Sequence, residues 1–138
     1  MSTKDLFHQA VKQALIKDGW IITNDPLTIR IDRVKLEIDL GAEKVFAAEK
    51  GEEKIAVEVK SFINPSNISD FHNALGQFLS YRLALQMIES NRVLYLAVPI
   101  DIFNTFFQER FTQAAILEYD LKILAYEPNK KEIIAWKN

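Results

Sequence analysis

The near-continuous apolar run from Arg92 to Val98 constrains the fold of this chain more than any other segment. After Arg92 the chain carries Val, Leu, Tyr, Leu, Ala and Val in succession, without the alternation expected of a strand that has one solvated face. Such runs are typical of strands inside a sheet that is covered on both faces. The longest apolar stretches, such as Val93 to Ile100, are far too short to span a bilayer. The sequence therefore predicts a central, buried strand.

A second strand pattern, Lys54 to Lys60, alternates apolar and polar positions. The odd-numbered residues are Ile and Val, so a period of two places Glu58 and Lys60 together on the opposite face. The segment Val34 to Leu40 repeats this alternation, with Asp39 among its polar positions. If the two strands share a sheet, Asp39 and Glu58 converge on its polar face.

Helical and strand periodicities alternate along the rest of the chain. Pro65 interrupts the pattern, and Ser66 or Asn67 is placed to cap the long helix that follows. The other predicted elements are helices at residues 4–18, 67–89 and 101–117 and strands at residues 20–23, 27–31, 44–49, 121–126 and 131–136. Their order indicates one α/β or α+β domain over residues 1–138, with a central mixed sheet flanked by helices.

Charge and composition limit the classes of function. Hydrophobic residues make up 49% of the chain, which argues for an ordered globule and against disorder. The absence of cysteine excludes disulfides and thiolate zinc sites, and the first residues lead into no signal-peptide core, so we expect a cytoplasmic protein. The net charge of −2 supplies no global basic field for nucleic acid. Any DNA binding therefore needs a local groove, a metal or a partner.

The two alternating strands carry the residue types of a magnesium-dependent nuclease. Asp39, Glu58 and the carbonyl of Val59 are oxygen donors of the kind that hold Mg²⁺ or Mn²⁺, and Lys60 beside them would orient the attacking water. The alternative is that both strands have solvated charged faces, with Glu58 and Lys60 paired for a few tenths of a kcal/mol. Spacing alone does not decide between these hypotheses.

Longer blocks of sequence resemble the XisH family, the fdxN element excision controlling factors of cyanobacteria. Over residues 5–98 the order of elements also resembles the PD-(D/E)xK superfamily, whose members share a restriction-endonuclease-like core. The blocks that carry the family resemblance are His8–Lys12, Leu15–Trp20, Asp39–Glu43, Ala47–Gly51, Ile55–Phe62 and Ala74–Phe78.

The resemblance implies further site residues. On the first helix, resolvase-like members of the superfamily carry a glutamate at or near the position of His8, which makes His8 a candidate metal ligand. The alternative for His8 is a polar residue on the helix surface. Gln77 and Tyr81 are similar to the Gln-x-x-x-Tyr pair that lines the site of recombination-type nucleases in this superfamily. The alternative for this pair is the edge of an ordinary amphipathic helix.

Three functions remain open from the sequence. The first is a metal-dependent DNA endonuclease or nickase. The second is an accessory factor in DNA excision that binds DNA, or docks onto a recombinase or companion excision factor. The third is a non-catalytic interaction module. We expect DNA as a partner and no membrane, and a homodimer is an open alternative.

Overall fold

The computed structural model describes residues 3–36 and 45–138. The predicted catalytic residue Asp39, and with it the end of the predicted strand from Val34 to Leu40, lies outside the described residues.

The described residues form helices and strands in the order that the sequence predicts, with one exception. The helices are α1 (Thr3–Lys17), α2 (Asn67–Ile88), α3 (Ile100–Asn104) and α4 (Arg110–Glu118). The strands are β1 (Ile21–Asn24), β2 (Ile29–Ile31), β3 (Val34–Leu36), β4 (Val45–Lys50), β5 (Glu53–Val59), β6 (Arg92–Pro99), β7 (Ile123–Glu127) and β8 (Glu132–Lys137).

The exception is the predicted helix at residues 101–117, which is wrong as a single helix. It is divided into α3, a short 3₁₀ turn at Phe106–Gln108, and α4. The turn directs Phe106 and Phe107 into the core, where they are 8% and 0% exposed. Core packing has overridden local helical preference here.

Six strands form the main sheet in the order β1-β4-β5-β6-β7-β8. The pairs β5–β6 and β6–β7 are parallel, and the other pairs are antiparallel. The strand β6, which contains the apolar run, lies inside the sheet, as predicted. Both of its neighbours, β5 and β7, are parallel to it. The fold is therefore a mixed α/β domain of the α+β kind.

The short strands β2 and β3 form a separate two-stranded sheet. They pair antiparallel through a tight turn in which Asp32 adopts a left-handed φ of 53°. The described part of the strand from Val34 to Leu40 thus pairs with β2, and the neighbours of β5 are β4 and β6. Within the described residues, the two alternating strands therefore lie in different sheets. The condition for Asp39 and Glu58 to converge on one polar face was that these strands share a sheet.

Hydrophobic residues cover both faces of the main sheet. One cluster packs α1 against the face that carries Ile55, Val57 and Val59. The other packs α2, the 3₁₀ turn and α4 against the opposite face, through the even-numbered residues of β6 and through Ala56. Both crossover connections, β5 to β6 and β6 to β7, therefore run over the same face, as right-handed crossovers between successive neighbours must.

Local signals fix the ends of several elements. The Ser66 hydroxyl accepts a hydrogen bond from the Ser69 amide at 3.2 Å and caps α2, as predicted. Gly51, at a φ of 61°, turns β4 back into β5, and Lys50 pairs with Glu53 across that turn. Within residues 3–36 and 45–138, no helix has the length and apolar character needed to cross a membrane.

Candidate functional site

Glu58 lies near the carboxyl end of β5 and has no solvent-exposed surface. Its backbone pairs with Val45 of β4 on one side and with Leu96 of β6 on the other. The alternation along β5 turns its side chain toward α2, away from Val57 and Val59, which pack with α1. The charged face of this strand is therefore covered by a helix, and the hypothesis of a solvated face is wrong for Glu58.

Lys60 follows two residues later on the same side of the chain and is 5% exposed. Its amide donates to the Ala97 carbonyl at 3.0 Å, which fixes the backbone just beyond the end of β5. Its Nζ donates to the Gln77 Oε1 at 2.6 Å. The sheet and α2 thus hold a buried ammonium group two positions after a buried carboxylate.

Gln77 and Tyr81 present the α2 side of this cluster. They are four residues apart and so share one face of the helix. Burial, together with the negative charge of Glu58, raises the pKa of the Tyr81 hydroxyl to about 12. That electrostatic coupling shows that the phenol and the carboxylate are close. The structure therefore brings together Glu58, Lys60, Gln77 and Tyr81, which we call the β5–α2 cluster.

The peptide between Val59 and Lys60 also contributes to the site. The Lys60 amide points toward β6. Because the N–H and C=O of a trans peptide point in opposite directions, the Val59 carbonyl points toward the β4 side of the sheet. It is a main-chain oxygen one residue after the Glu58 carboxylate.

Phe62 is a positioning residue that the sequence did not reveal. It adopts a left-handed φ of 54°, an uncommon conformation for a bulky side chain. Its buried ring packs at 5.5 Å, centroid to centroid, against Phe107 and at 6.4 Å against Phe106. This packing holds the strained turn that leads the chain away from Lys60. No sequence pattern marks a phenylalanine for positive φ, so only tertiary contacts identify it.

A solvent-accessible cleft of about 310 Å³ opens beside the cluster. Gln77 and Tyr81 form its inner side, and exposed Gly76 and Ser80 lie on the outer side. Leu36, the last residue of β3, closes one end. The cleft therefore borders the cluster on its α2 side, through Gln77 and Tyr81.

His8 lies in a different environment. Its Nε2 is 3.0 Å from the Asp25 Oδ1, and Lys12 contacts the other oxygen of the same carboxylate. Burial by itself raises the pKa of Asp25, but the hydrogen bond from Lys12 and the interactions with His8 outweigh it and lower that pKa below its ordinary value. His8 is only 6% exposed, so its interpretation as a helix-surface residue is wrong. Its helix packs on the face of the sheet opposite α2, and a metal-binding role for His8 stays a prediction.

Two described residues that precede and follow Asp39 in the sequence lie beside the cluster. Leu36 lines the cleft next to Gln77 and Tyr81, and Val45 pairs with Glu58. Asp39 itself is outside the described residues. Within the described ranges, no group of three or more His, Asp or Glu side chains is arranged to hold a metal ion.

The fold and the cluster define a class: a mixed α/β domain with a buried carboxylate, lysine, amide and phenol where a parallel strand meets its crossover helix. The chain belongs to the XisH family, because the family model described as XisH protein matches residues 1–134.

Two solved structures are similar over nearly the whole chain. An XisH family protein from Nostoc punctiforme PCC 73102 is 52% identical, covers 97% of this chain and 100% of its own, and superposes with a TM-score of 0.90. An fdxN element excision controlling factor protein from Anabaena variabilis is 51% identical, covers 97% of this chain and 99% of its own, and has the same TM-score of 0.90. No curated protein gives a significant match.

Proposed function

We propose that this protein is a controlling factor in the excision of a DNA element, and that it acts on DNA, or beside it, through a nuclease-type core of the PD-(D/E)xK kind. The observation that carries the proposal is the β5–α2 cluster, in which Glu58 is fully buried and Lys60 nearly so. The relative from Anabaena variabilis bears the name of an excision controlling factor, which supports the same role here.

Burial of charge is the physical reason to assign function to this cluster. Moving a carboxylate or an ammonium group out of water costs several kcal/mol unless its surroundings compensate. Apolar side chains at these positions would build the same layer between sheet and helix without that cost. Clusters of buried titratable groups beside a cleft are typical of functional sites.

The donor set of the cluster fits a hard divalent cation. The Glu58 carboxylate and the Val59 carbonyl are oxygen donors, and Asp39 is the proposed second carboxylate. A bound Mg²⁺ or Mn²⁺ would polarise a phosphodiester and make water a stronger nucleophile at neutral pH. In this proposal Lys60, held by Gln77, places a positive charge beside the phosphate, and Tyr81 remains a neutral hydrogen-bond donor.

The candidate activity is nicking or cleavage of DNA, and the test is a supercoiled-plasmid assay in Mg²⁺ and in Mn²⁺. We expect the wild-type protein to relax the plasmid and Glu58→Gln to abolish relaxation, because a carboxamide of the same size lacks the charge that binds the cation. Glu132→Gln is the matched control, since it makes the same change at an exposed position on β8. Melting curves of both variants check that the fold is retained.

Cleavage that persists in Glu58→Gln would contradict the assignment of the cluster. Absence of cleavage by wild type in both metals would reject the enzyme and leave the accessory role, in which the cluster binds DNA without cutting it.

DNA binding itself should require the metal. The chain has a net charge of −2, so phosphates are not drawn to it by its overall field. A divalent cation at Glu58 would bridge protein and phosphate. We expect fluorescence anisotropy of a labelled duplex to rise with protein in Mg²⁺ and to return to the free value when EDTA is added. Equal binding with and without EDTA would place the contact with DNA elsewhere on the protein.

A non-catalytic interaction module is the second candidate. It is favoured by the outer surface of α2, where Leu83 and Met87 are 60% and 62% exposed at helical spacing. If wild type neither cleaves nor binds DNA under any of these conditions, substitution of this pair by serine would be the next variant to test in partner binding.

A further inference from the structure

A second cleft, separate from the β5–α2 cluster, lies at the opposite end of the parallel strands. Its volume is about 500 Å³, and it is lined where β5 and β6 begin, by residues that include Glu53 and Val93. It is larger than the cleft beside Tyr81, and the proposed nuclease-type function assigns it no role.

The walls of this cleft are aromatic. The ring of Tyr95 meets the ring of Trp136 edge to face, with centroids 4.9 Å apart and planes at 81°. The Trp20 ring also packs against Trp136, with centroids 5.9 Å apart. Two rings at nearly a right angle form a corner that offers aromatic faces to a cation, without the pair of parallel rings between which a base would stack.

One lysine of the chain already lies against an aromatic ring of this cleft. The Lys50 Nζ lies 6.0 Å from the centre of the Trp20 ring and 3.9 Å from the Asp18 carboxylate. This arrangement combines an aromatic face with a carboxylate and leaves the Tyr95–Trp136 corner for another group.

The remaining charges around the corner favour a cation as that group. Lys50 is paired with Asp18, and the charge of Lys54 acts on Glu89, which helps to lower the pKa of that carboxyl. The lining therefore carries three carboxylates, those of Asp18, Glu52 and Glu53, against the two ammonium groups of Lys50 and Lys54. Burial, with the charge of Glu53, raises the pKa of the Tyr95 hydroxyl, which places that carboxylate near the ring.

We infer that this cleft binds the guanidinium group of an arginine side chain presented by a partner protein. Guanidinium is planar, weakly hydrated, stacks on aromatic faces and donates paired hydrogen bonds to a carboxylate such as Glu53. Free arginine is a poorer ligand, because both of its charged α-groups would have to lose water at the cleft, whereas a blocked peptide has neither.

Intrinsic fluorescence tests the inference directly, because the chain has two tryptophans and both line the cleft. The probes are a blocked Gly-Arg-Gly peptide, the same peptide with citrulline in place of arginine, free arginine and inorganic phosphate. We expect a saturable change in emission with the arginine peptide. Citrulline has nearly the same shape without the charge, so its peptide should bind about tenfold more weakly.

Substitutions test which residues of the cleft bind the arginine peptide. Glu53→Gln should weaken the arginine peptide about tenfold, since it removes the charge at an exposed position of β5 that the fold does not need. Trp136→Leu should remove binding, measured by calorimetry because one reporter is lost. Glu118→Gln, an exposed position at the end of α4, should bind as wild type does.

Four results would overturn the inference. Equal affinity for the citrulline peptide would show that charge plays no part. Preference for phosphate over the arginine peptide would show an anion site, and preference for free arginine over the blocked peptide would show a small-molecule site. No saturable change with folded wild type would remove the site altogether.

Discussion

The charged residues of β5 meet different surroundings along one short strand. Glu53 is exposed, Lys54 is half-buried, and Glu58 has no exposed surface. The same type of side chain is therefore solvated at one end of the strand and enclosed by α2 at the other. The enclosed end combines burial with charge coupling between β5 and α2, and charges interact more strongly away from water.

Tyr81 should report that coupling in an alkaline titration. Its pKa is raised from 10.0 to about 12 by burial and then by Glu58, so tyrosinate absorbance should include a component that ionises at about pH 12, and Tyr81→Phe should remove that component. In Glu58→Gln the pKa of Tyr81 should fall while staying above 10.0, since burial remains.

The same shift affects stability at high pH. Because the folded pKa of Tyr81 is higher than the unfolded one, its contribution to stability is complete below pH 10.0 and is lost as the pH rises through about 12. Urea denaturation of wild type and Tyr81→Phe across this range measures the difference. If Tyr81 ionises at its ordinary value, the phenol is open to solvent and the cluster is not formed as described.

At the level of elements, the helix that follows β6 is shaped by what it must bury. The 3₁₀ turn places two phenylalanines in the core, and α4 then starts afresh at Arg110. In the first turns of α4, Thr112 is fully buried, and its hydroxyl has no hydrogen-bond partner among the described residues. An unsatisfied buried hydroxyl lowers stability.

Thr112→Val should therefore raise the free energy of unfolding by about 1 kcal/mol, because it replaces the hydroxyl with a methyl group of similar size. The matched control is Thr105→Val, which removes a hydroxyl that donates to the Asp101 carbonyl at 2.7 Å and should lower stability. Both are measured by urea denaturation. A loss of stability in Thr112→Val would mean that its hydroxyl is hydrogen-bonded in solution.

At the level of the whole molecule, the sheet order decides which segments are protected. Strands β5, β6 and β7 lie inside the main sheet, whereas β1 and β8 form its edges. Helices cover both faces of the central strands. The β5–α2 cluster is thus built on the most enclosed part of the sheet, and the second cleft lies at the other end of the same strands.

Hydrogen exchange followed by mass spectrometry should show this difference in protection between the central and the edge strands. Peptides from β5 and β6 should exchange slowest, because their amides open only with the whole sheet, and peptides from β1 and β8 should exchange faster. Edge strands as protected as β6 would indicate that a second molecule covers them in solution, as in a homodimer.

The sequence by itself determined the faces of the strands and the elements other than the helix predicted at residues 101–117, which a 3₁₀ turn divides. The unbroken apolar run predicted the central position of β6, and the alternation in Lys54 to Lys60 placed Glu58 and Lys60 on one side. The Gln77 and Tyr81 pair was predicted from its helical spacing and its resemblance to a family motif. These features are local, since they depend on the period of a strand or a helix.

The tertiary structure alone decided the surroundings of those side chains. Whether Glu58 is solvated depends on α2, which begins nine residues later and packs over it, and no strand pattern contains that contact. The break at Phe106, the positive φ of Phe62 and the pairing of His8 with Asp25 also depend on residues distant in sequence. Burial and charge coupling are sums over such neighbours, which is why periodicity predicted the direction of a side chain and only packing fixed its chemistry.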